Sequence, residues 1–503
     1  MSVKFLMNET EKDSSYLHIL KYTALFGSVQ GLSILAGIAR NKLVAIILGP
    51  SGMGLLSLFN SSTKLISDST NFGISMSAVK NISLAYDEGN EVLMAHQIKI
   101  IRSWSLATAV LGMMVCMLLS PLLNKWSFSW GNHTLHYILL SPVVALSAIT
   151  GGEAAILKGL RRLRSLAVIS LLNVVLALVI TTPVYYIMGE TGIVPSLIII
   201  ALLQCVLTIG YSWRLCPPRI QLSAAVLREG SPMIRLGIAF VIAGMFGSGS
   251  DFVIRSFLNQ SGDLSTVGLF NAGYMMTMTY TGMVFSAMET DYFPRLSGIH
   301  QLGKGLNQVV NHQMEVSLLL VAPMLVFFIM GLPVLLPLLY SGKFLPVMGM
   351  MKATIIAMYF RALSLPMEYI ALSRGDSRTY LVLELVYDVM AAVLIIVFYD
   401  IYGLTGTGYG LMIAVAVNFF IVVAYTWFKY GFVLSSSVKL YALVQIPVGI
   451  ATVVSGYLLQ GVVYWAAGIT LGLLSLVLSL CIIYSKTHLW NSLVHKFTGI
   501  VKK

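Results

Sequence analysis

Apolar runs of about twenty residues recur from one end of this chain to the other, divided by short polar punctuation. SLLNVVLALVITTPVYYIM (170–188) and ITLGLLSLVLSLCIIYS (469–485) show the type. Each is close to the length needed to cross roughly 30 Å of hydrocarbon as a helix. Read along the chain, the pattern predicts fourteen helical spans. They fall at 22–48, 53–79, 103–123, 134–157, 165–188, 193–213, 234–258, 265–289, 314–340, 345–372, 379–399, 407–428, 441–459 and 462–484. Turn chemistry divides the first pair at Gly49-Pro50-Ser51-Gly52. Irregular helix is expected at 331–340, where Pro333 and Pro337 each remove a backbone donor.

Composition agrees with the pattern. Of 503 residues 57% are hydrophobic and only 10% charged, against about 25% charged in a soluble chain, and no stretch is long enough for a soluble domain. The reading is an all-α polytopic membrane protein. No apolar segment precedes Lys21, so the first run is expected to remain as a span and not to be removed as a signal peptide. Cys116, Cys205, Cys216 and Cys481 are scattered, without metal or disulfide spacing, and read as small packing residues. His133 and His136 have no third ligand near them in sequence and read as part of a solvated loop; no metal or other cofactor is expected.

The cations fix an expected orientation. With a cytoplasmic N-terminus, 24 of the 32 Lys and Arg residues fall in cytoplasmic segments, among them Arg102, Arg219, Lys496, Lys502 and Lys503. Only Lys125 and Lys343 fall on the opposite face, the asymmetry expected of a multi-pass protein with both termini cytoplasmic. These dispersed basic loops suit topology and anionic headgroups, not nucleic acid.

The chain also repeats itself. Leu58-Phe59-Asn60 opens the second span and Leu269-Phe270-Asn271 the eighth; Glu153-Ala-Ala-Ile-Leu157 closes the fourth and Glu368-Tyr-Ile-Ala-Leu372 the tenth. Six spans separate the members of each match, which gives two pseudo-symmetric six-helix lobes, 1–220 and 221–430, with two additional helices and a tail at 431–503. Two such lobes facing each other across the membrane midplane describe an alternating-access transporter, and a complete pathway in one chain predicts a functional monomer.

The remaining six cations lie inside the spans: Arg40, Lys42, Lys64, Arg255, Lys352 and Arg361, beside Asp68, Asp251, Glu384 and Asp388. At the centre of a lipid-facing helix each costs about 2.5–3.5 kcal/mol, so most must pair, snorkel or face a cavity. Lys64 with Asp68, and Asp251 with Arg255, share helix faces at i,i+4. Arg40 and Lys42 point about 200° apart; Arg40, the deeper, is assigned to the cavity and Lys42 to the outer headgroups. Lys352 and Arg361 have no carboxylate at helical spacing on their own span, which makes Arg361 the strongest functional signal. Arg40, Lys64, Lys352, Arg361 and Arg255 thus suggest a cavity for an anionic substrate. Asp68, Asp251, Glu384 and Asp388 are candidates for ion coupling or charge pairing. Glu384 and Asp388 raise each other's proton affinity and either neutralise Lys352 or Arg361 across helices or serve proton or sodium coupling.

The segment 38–60, IARNKLVAIILGPSGMGLLSLFN, adds a resemblance. A cation-bearing first helix ending in LGP-x-G-x-G-L resembles the Wzx-type polysaccharide flippases, the O-antigen and capsule translocases. These belong to the multidrug/oligosaccharidyl-lipid/polysaccharide exporter superfamily, with MATE exporters and the lipid II flippase as more distant relatives. The resemblance implies a MATE-like fold in a bacterial cytoplasmic (inner) membrane. It also implies that a polyprenyl-diphosphate-linked glycan, such as a lipopolysaccharide O-antigen or capsule unit, is turned to the periplasmic leaflet. Polysaccharide polymerase machinery is an implied partner beside membrane lipids. Family members have functional arginines on the first helix, and Arg40 is the matching position; Asp251-Arg255 departs from Arg40 and Val44 at the same offset in the first span. The rival on the same fold is a MATE-type multidrug or cation antiporter, which wants an acidic, aromatic cavity. A membrane enzyme is disfavoured by the short outer loops, and no GxxxxGK[ST] motif supports ATP hydrolysis.

Overall fold

The computed structural model describes residues 3–218, 220–299 and 302–487, and every regular element among them is helical. In chain order the α-helices are α1 (Val3–Thr70), α2 (Ile74–Asp87), α3 (Glu91–Ser127), α4 (Thr134–Gly159), α5 (Leu163–Met188), α6 (Ile193–Leu215), α7 (Ala224–Glu229) and α8 (Ser231–Ser261). They continue as α9 (Leu264–Tyr274), α10 (Tyr280–Ser297), α11 (Lys304–Leu339), α12 (Met348–Ser373), α13 (Ser377–Tyr430), α14 (Ser436–Leu458) and α15 (Gly461–Thr487). Of the cations used for orientation, Arg219, Lys496, Lys502 and Lys503 lie outside the described residues.

Among the described residues, nine helical stretches are long and apolar enough to cross a membrane. Three of them run for 39, 53 and 54 residues. At 1.5 Å per residue even the shortest would reach about 58 Å if straight, roughly twice the hydrocarbon thickness. None is straight. Each turns at a glycine with positive φ, Gly49 at 65°, Gly189 at 58° and Gly403 at 60°, a conformation that a side chain disfavours. All three turns fall between spans that the hydrophobic pattern separates.

Four local expectations change. The span expected at 53–79 breaks at 71–73: the Asn71 side chain accepts the Gly73 N–H at 2.7 Å, Phe72 and Gly73 take positive φ, and α2 begins afresh. α3 starts at Glu91, capped by Asn90, so Arg102 is a residue inside a helix and not part of a loop. α11 continues through Pro323, Pro333 and Pro337, forgoing only the bonds their missing N–H groups would make. His133 and His136 are half-buried and not freely solvated: His133 stacks on Phe128 at 4.1 Å, and the two imidazoles lie 5.2 Å apart.

Two packed units result, the first reaching Ser265 and the second starting at Thr266. In the first, α2, α3 and α4 share a core of Ile74, Ala78, Ile82, Ile101, Ala155 and Ile156, closed by Val226 and Met233. The turn between α1 and α2 meets α8 through small residues. A Cβ on Gly237 would lie 2.2 Å from the Phe72 carbonyl oxygen, and one on Gly73 2.4 Å from that of Gly237. In the second unit α12 is the hub, packed by α10, α11, α13 and α14. Its apolar window is 72% buried, so charges on α12 are enclosed by protein. Gly408 lets α13 approach; a Cβ there would meet the Met350 carbonyl oxygen at 2.3 Å.

Gly237→Val is expected to lower the thermal unfolding temperature of the purified protein, by the roughly 1–3 kcal/mol of an overpacked interface. Gly210→Ala, with nothing within 4 Å of the added carbon, is expected to leave it unchanged or slightly higher.

Candidate functional site

In the first unit the predicted charges have different fates. Arg40 lies half-buried in α1 before the Gly49 turn, and its Nε is enclosed without a hydrogen-bond partner among the described residues. Lys42, also half-buried, lies two residues further on. Beyond the turn Lys64 is exposed. Asp68 faces α8 instead, with its Cβ 3.8 Å from the position a Cβ on Gly244 would take. The two share a helix face, yet no ion pair joins them among the described residues, because the lysine extends outward and the carboxylate turns to α8. Asp251 and Arg255 do pair, Oδ1 to Nη1 at 2.9 Å. Arg255 is buried and also donates through Nε to Ser57 Oγ at 2.8 Å, which ties α8 to α1.

In the second unit Lys352 and Arg361, both on α12, go separate ways. Lys352 is buried; its Nζ donates to the Gly456 carbonyl at 2.9 Å and sits 4.1 Å over the Tyr457 ring. The ammonium therefore closes the C-terminal end of α14, where carbonyls lack helical partners and the helix dipole is negative.

Arg361 is not unpaired as the sequence suggested. Its Nη1 meets Glu368 Oε1 at 3.1 Å. The two are seven residues apart, two helical turns, which returns them to one face at about 10 Å of rise. A search at i,i+3 and i,i+4 misses that pairing. Asn418 of α13 donates to the same oxygen at 3.0 Å, and its Oδ1 is buried without a donor among the described residues. Arg361, Glu368, Tyr380, Glu384, Tyr387 and Asn418 line one pocket of about 10 Å³, room for a single water. Glu384 thus joins Arg361 and not Lys352. The pocket holds two carboxylates against one guanidinium. Asp388, half-buried on α13, has interactions of its own.

The most heavily bonded charge was missed. Arg102, read from sequence as a topology-setting cation, is 3% exposed and Glu153 4%. Arg102 Nε and Nη2 donate to Glu153 Oε1 and Oε2 at 2.8 and 3.1 Å. Its Nη1 and Nη2 donate to the Pro217 and Cys216 carbonyls at 2.9 and 3.1 Å. Ser212 Oγ and Trp213 Nε1 of α6 complete the carboxylate, at 2.5 and 3.1 Å. One guanidinium and one carboxylate thereby join α3, α4, α6 and the segment after it. The signal was the repeat itself, since Glu153 and Glu368 are its matched positions. A third match supports it, Tyr211-Ser212-Trp213 on α6 with Tyr425-Thr426-Trp427 on α13.

Outside the spans, Asp376 accepts from Thr379 Oγ1 and Tyr430 at 2.7 and 2.8 Å and pairs with Lys429. Lys429 foremost, then Thr379, hold its carboxyl well below the ordinary carboxylate range. His133 is pushed below its usual value, first by burial and then by His136. Among the described residues no cluster of three or more His, Cys, Asp or Glu could hold a metal ion.

Residues 43–349 match the family described as polysaccharide biosynthesis protein. That is more than half of the chain, and the chain belongs to this family. No curated protein matches it. Among solved structures it is similar to the lipid II flippase MurJ in an inward closed conformation, with a TM-score of 0.73 and 13% identity over 92% of this chain and 99% of that one. It is also similar to an inward-facing multidrug resistance MATE family transporter of the MOP superfamily, with a TM-score of 0.60 and 15% identity over 79% and 94%. A MATE in the bent conformation aligns with a TM-score of 0.53 and 14% identity over 83% and 94%. The fold is that of these solved structures, helical throughout the described residues.

Arg102→Ala leaves Glu153 buried without its counter-charge and is expected to cost about 3–5 kcal/mol of stability, read from thermal unfolding. The double change Arg102→Met with Glu153→Met is expected to recover most of that loss. Because the folded pKa of Asp376 is depressed, its stabilisation is present above the unfolded value near about 3.9 and is lost as pH falls through the lower folded value. The stability gap between wild type and Asp376→Asn should therefore be full at pH 6 and narrow in acid, below about pH 4.

Proposed function

We propose that the protein flips a polyprenyl-diphosphate-linked oligosaccharide, an O-antigen, capsule or exopolysaccharide repeat unit, from the cytoplasmic to the periplasmic leaflet by alternating access. The family and a MurJ-like fold support a lipid-linked substrate. The observation that carries the reading is Arg40. It is a cation in an apolar helix whose Nε has no hydrogen-bond partner among the described residues, whereas Arg102, Arg255, Lys352 and Arg361 are engaged by protein groups. A guanidinium with donors to spare suits a diphosphate, which it grips through paired N–H groups. Lys64, exposed on the second segment of α1, is the next candidate for the anion. Arg361 keeps a role through its pocket and not as a bare charge.

The membrane potential favours this direction. With the interior negative, each negative elementary charge moved outward gains about 2.3 kcal/mol per 100 mV. Coupling to a cation is a second component of the same reading. In the Arg361 pocket the excess of carboxylate over guanidinium supports exchange of a proton or sodium ion at Glu384 or Glu368. That excess is also the observation that favours the MATE-type antiporter reading.

The test is translocation of a fluorescent undecaprenyl-diphosphate oligosaccharide in proteoliposomes at matched folded protein. Wild type flips the probe; Arg40→Ala is expected to slow flipping tenfold or more, and Arg40→Lys to keep part of the rate. Flipping that is equal in all three would remove Arg40 from the site. Transport of a cationic dye with no flipping of the glycolipid would establish the antiporter.

A further inference from the structure

Helix α1 changes character at the Gly49 turn. Before it, the exposed side chains include Leu32 and Leu35, 54% and 64% exposed and apolar, as a lipid-facing helix requires. After it, apart from Ser51 beside the turn, the exposed residues up to Thr70 are Asn60 and Lys64. Ser67 is half-buried on the same side, and Asn71, whose N–H still bonds the Ser67 carbonyl at 3.0 Å, continues the line. At 3.6 residues per turn, positions 60, 64, 67 and 71 fall within about 60° of one another.

Both flanks of that strip are packed. On one, Ser57 accepts from Arg255 and Asp68 lies against Gly244, both on α8. On the other, Phe59 sits edge-on to Tyr137 of α4, and Ser62 bonds the same tyrosine at 3.1 Å. The free face of this segment is therefore its polar face.

Depth makes that polarity costly. Counted from Gly49 at 1.5 Å per residue, Asn60 lies about 16 Å and Lys64 about 22 Å along the helix, so Asn60 stands near the middle of roughly 30 Å of hydrocarbon. A lysine can reach back toward headgroups; an asparagine is too short to do so. A polar strip at that depth faces water or a polar ligand. Its groups are also unspent: among the described residues the side chains of Asn60, Lys64 and Ser67 have no hydrogen-bond partner, and Asn71 uses only its oxygen, on the Gly73 N–H.

The strip is not repeated with the fold. At the offset of 211 that matches Asn60 to Asn271, Lys64, Ser67 and Asn71 correspond to Met275, Met278 and Gly282. Polarity needed only to build a duplicated lobe would recur in both copies. Two amides, a hydroxyl and an ammonium set along about 16 Å are the donors and acceptors that suit the hydroxyls of a short oligosaccharide.

We infer that this strip of α1 binds the sugars of the transported lipid. Asn60, Ser67 and Asn71 hydrogen-bond sugar hydroxyls, and Lys64 donates to a sugar oxygen or to a carboxylate that a sugar bears. The inference rests on the flippase reading and adds which part of the substrate this segment holds; the diphosphate stays with Arg40, about 13 Å along the helix on the other side of the same turn.

Two measurements on the full-length protein test it. In the first, the four native cysteines are replaced by serine and single cysteines are placed in proteoliposomes by Asn60→Cys, Lys64→Cys or Leu35→Cys. A sulfonate-bearing methanethiosulfonate, which reacts with thiols in water, is expected to label the first two at least tenfold faster than the third. Equally slow labelling of all three would overturn the aqueous face, and with it the inference. In the second, purified protein binds undecaprenyl diphosphate, bare or carrying a trisaccharide. Wild type is expected to hold the trisaccharide form tenfold or more tighter. Asn60→Leu should cut that preference five- to tenfold, the loss of one hydrogen bond, without changing affinity for the bare lipid. Arg40→Gln should weaken both forms. Equal affinity of wild type for the two forms, or an Asn60→Leu loss shared by both, would overturn the inference and leave the flippase reading standing. Binding of neither form would overturn that reading itself. Should Asn60→Leu fail to fold, the wild-type preference and the milder Asn60→Ser decide.

Discussion

A carboxylate that holds a guanidinium inside an apolar chain is the interaction on which the rest of this structure depends. Glu153 holds Arg102 and Glu368 holds Arg361; the two glutamates are matched in the repeated sequence, although their arginines lie on different helices. Neither partner could face hydrocarbon alone, and each side chain left by itself would be an uncompensated buried charge. In the first unit the pair is fully bonded and fastens three helices to the segment after α6. In the second, Glu368 shares one oxygen between Arg361 and Asn418, and a further carboxylate lines the same pocket. The matched glutamate serves a closed fastening in one unit and a site with acidic groups to spare in the other.

That difference separates roles among charges that look alike in sequence. Arg255 joins α8 to α1, Lys352 closes the end of α14, and Arg102 fastens α3, α4 and α6. What remains for an anion is Arg40, with Lys64 behind it. The proposed diphosphate substrate would need cations not already neutralised by protein groups, and few of the named charges qualify.

Helices and their breaks were legible because apolar length and turn chemistry are local. GPSG around Gly49 predicts its turn as plainly as any motif can, and Gly189 and Gly403 mark the same event elsewhere. The pairing of charges was less legible. Asp251–Arg255 was readable, since i,i+4 is the first neighbour on a helix face. Arg361–Glu368 was not, because two full turns separate the partners. Arg102–Glu153 needed knowledge of which helices touch; without it, a cation near an expected helix end reads as a loop residue. Lys352 found a carbonyl and a ring, partners that no charge pattern contains. The repeat came nearest to exposing the hidden pairs, since it singled out both glutamates before their partners were known.

The central claim is that Arg40, and not Arg361, reads the diphosphate. Its most direct test is the binding of polyprenyl diphosphate against polyprenyl monophosphate to the purified full-length protein, in wild type, Arg40→Gln and Arg361→Gln. Wild type and Arg361→Gln should both prefer the diphosphate by tenfold or more, and Arg40→Gln should lose the preference. Preference retained in Arg40→Gln and lost in Arg361→Gln would contradict the account.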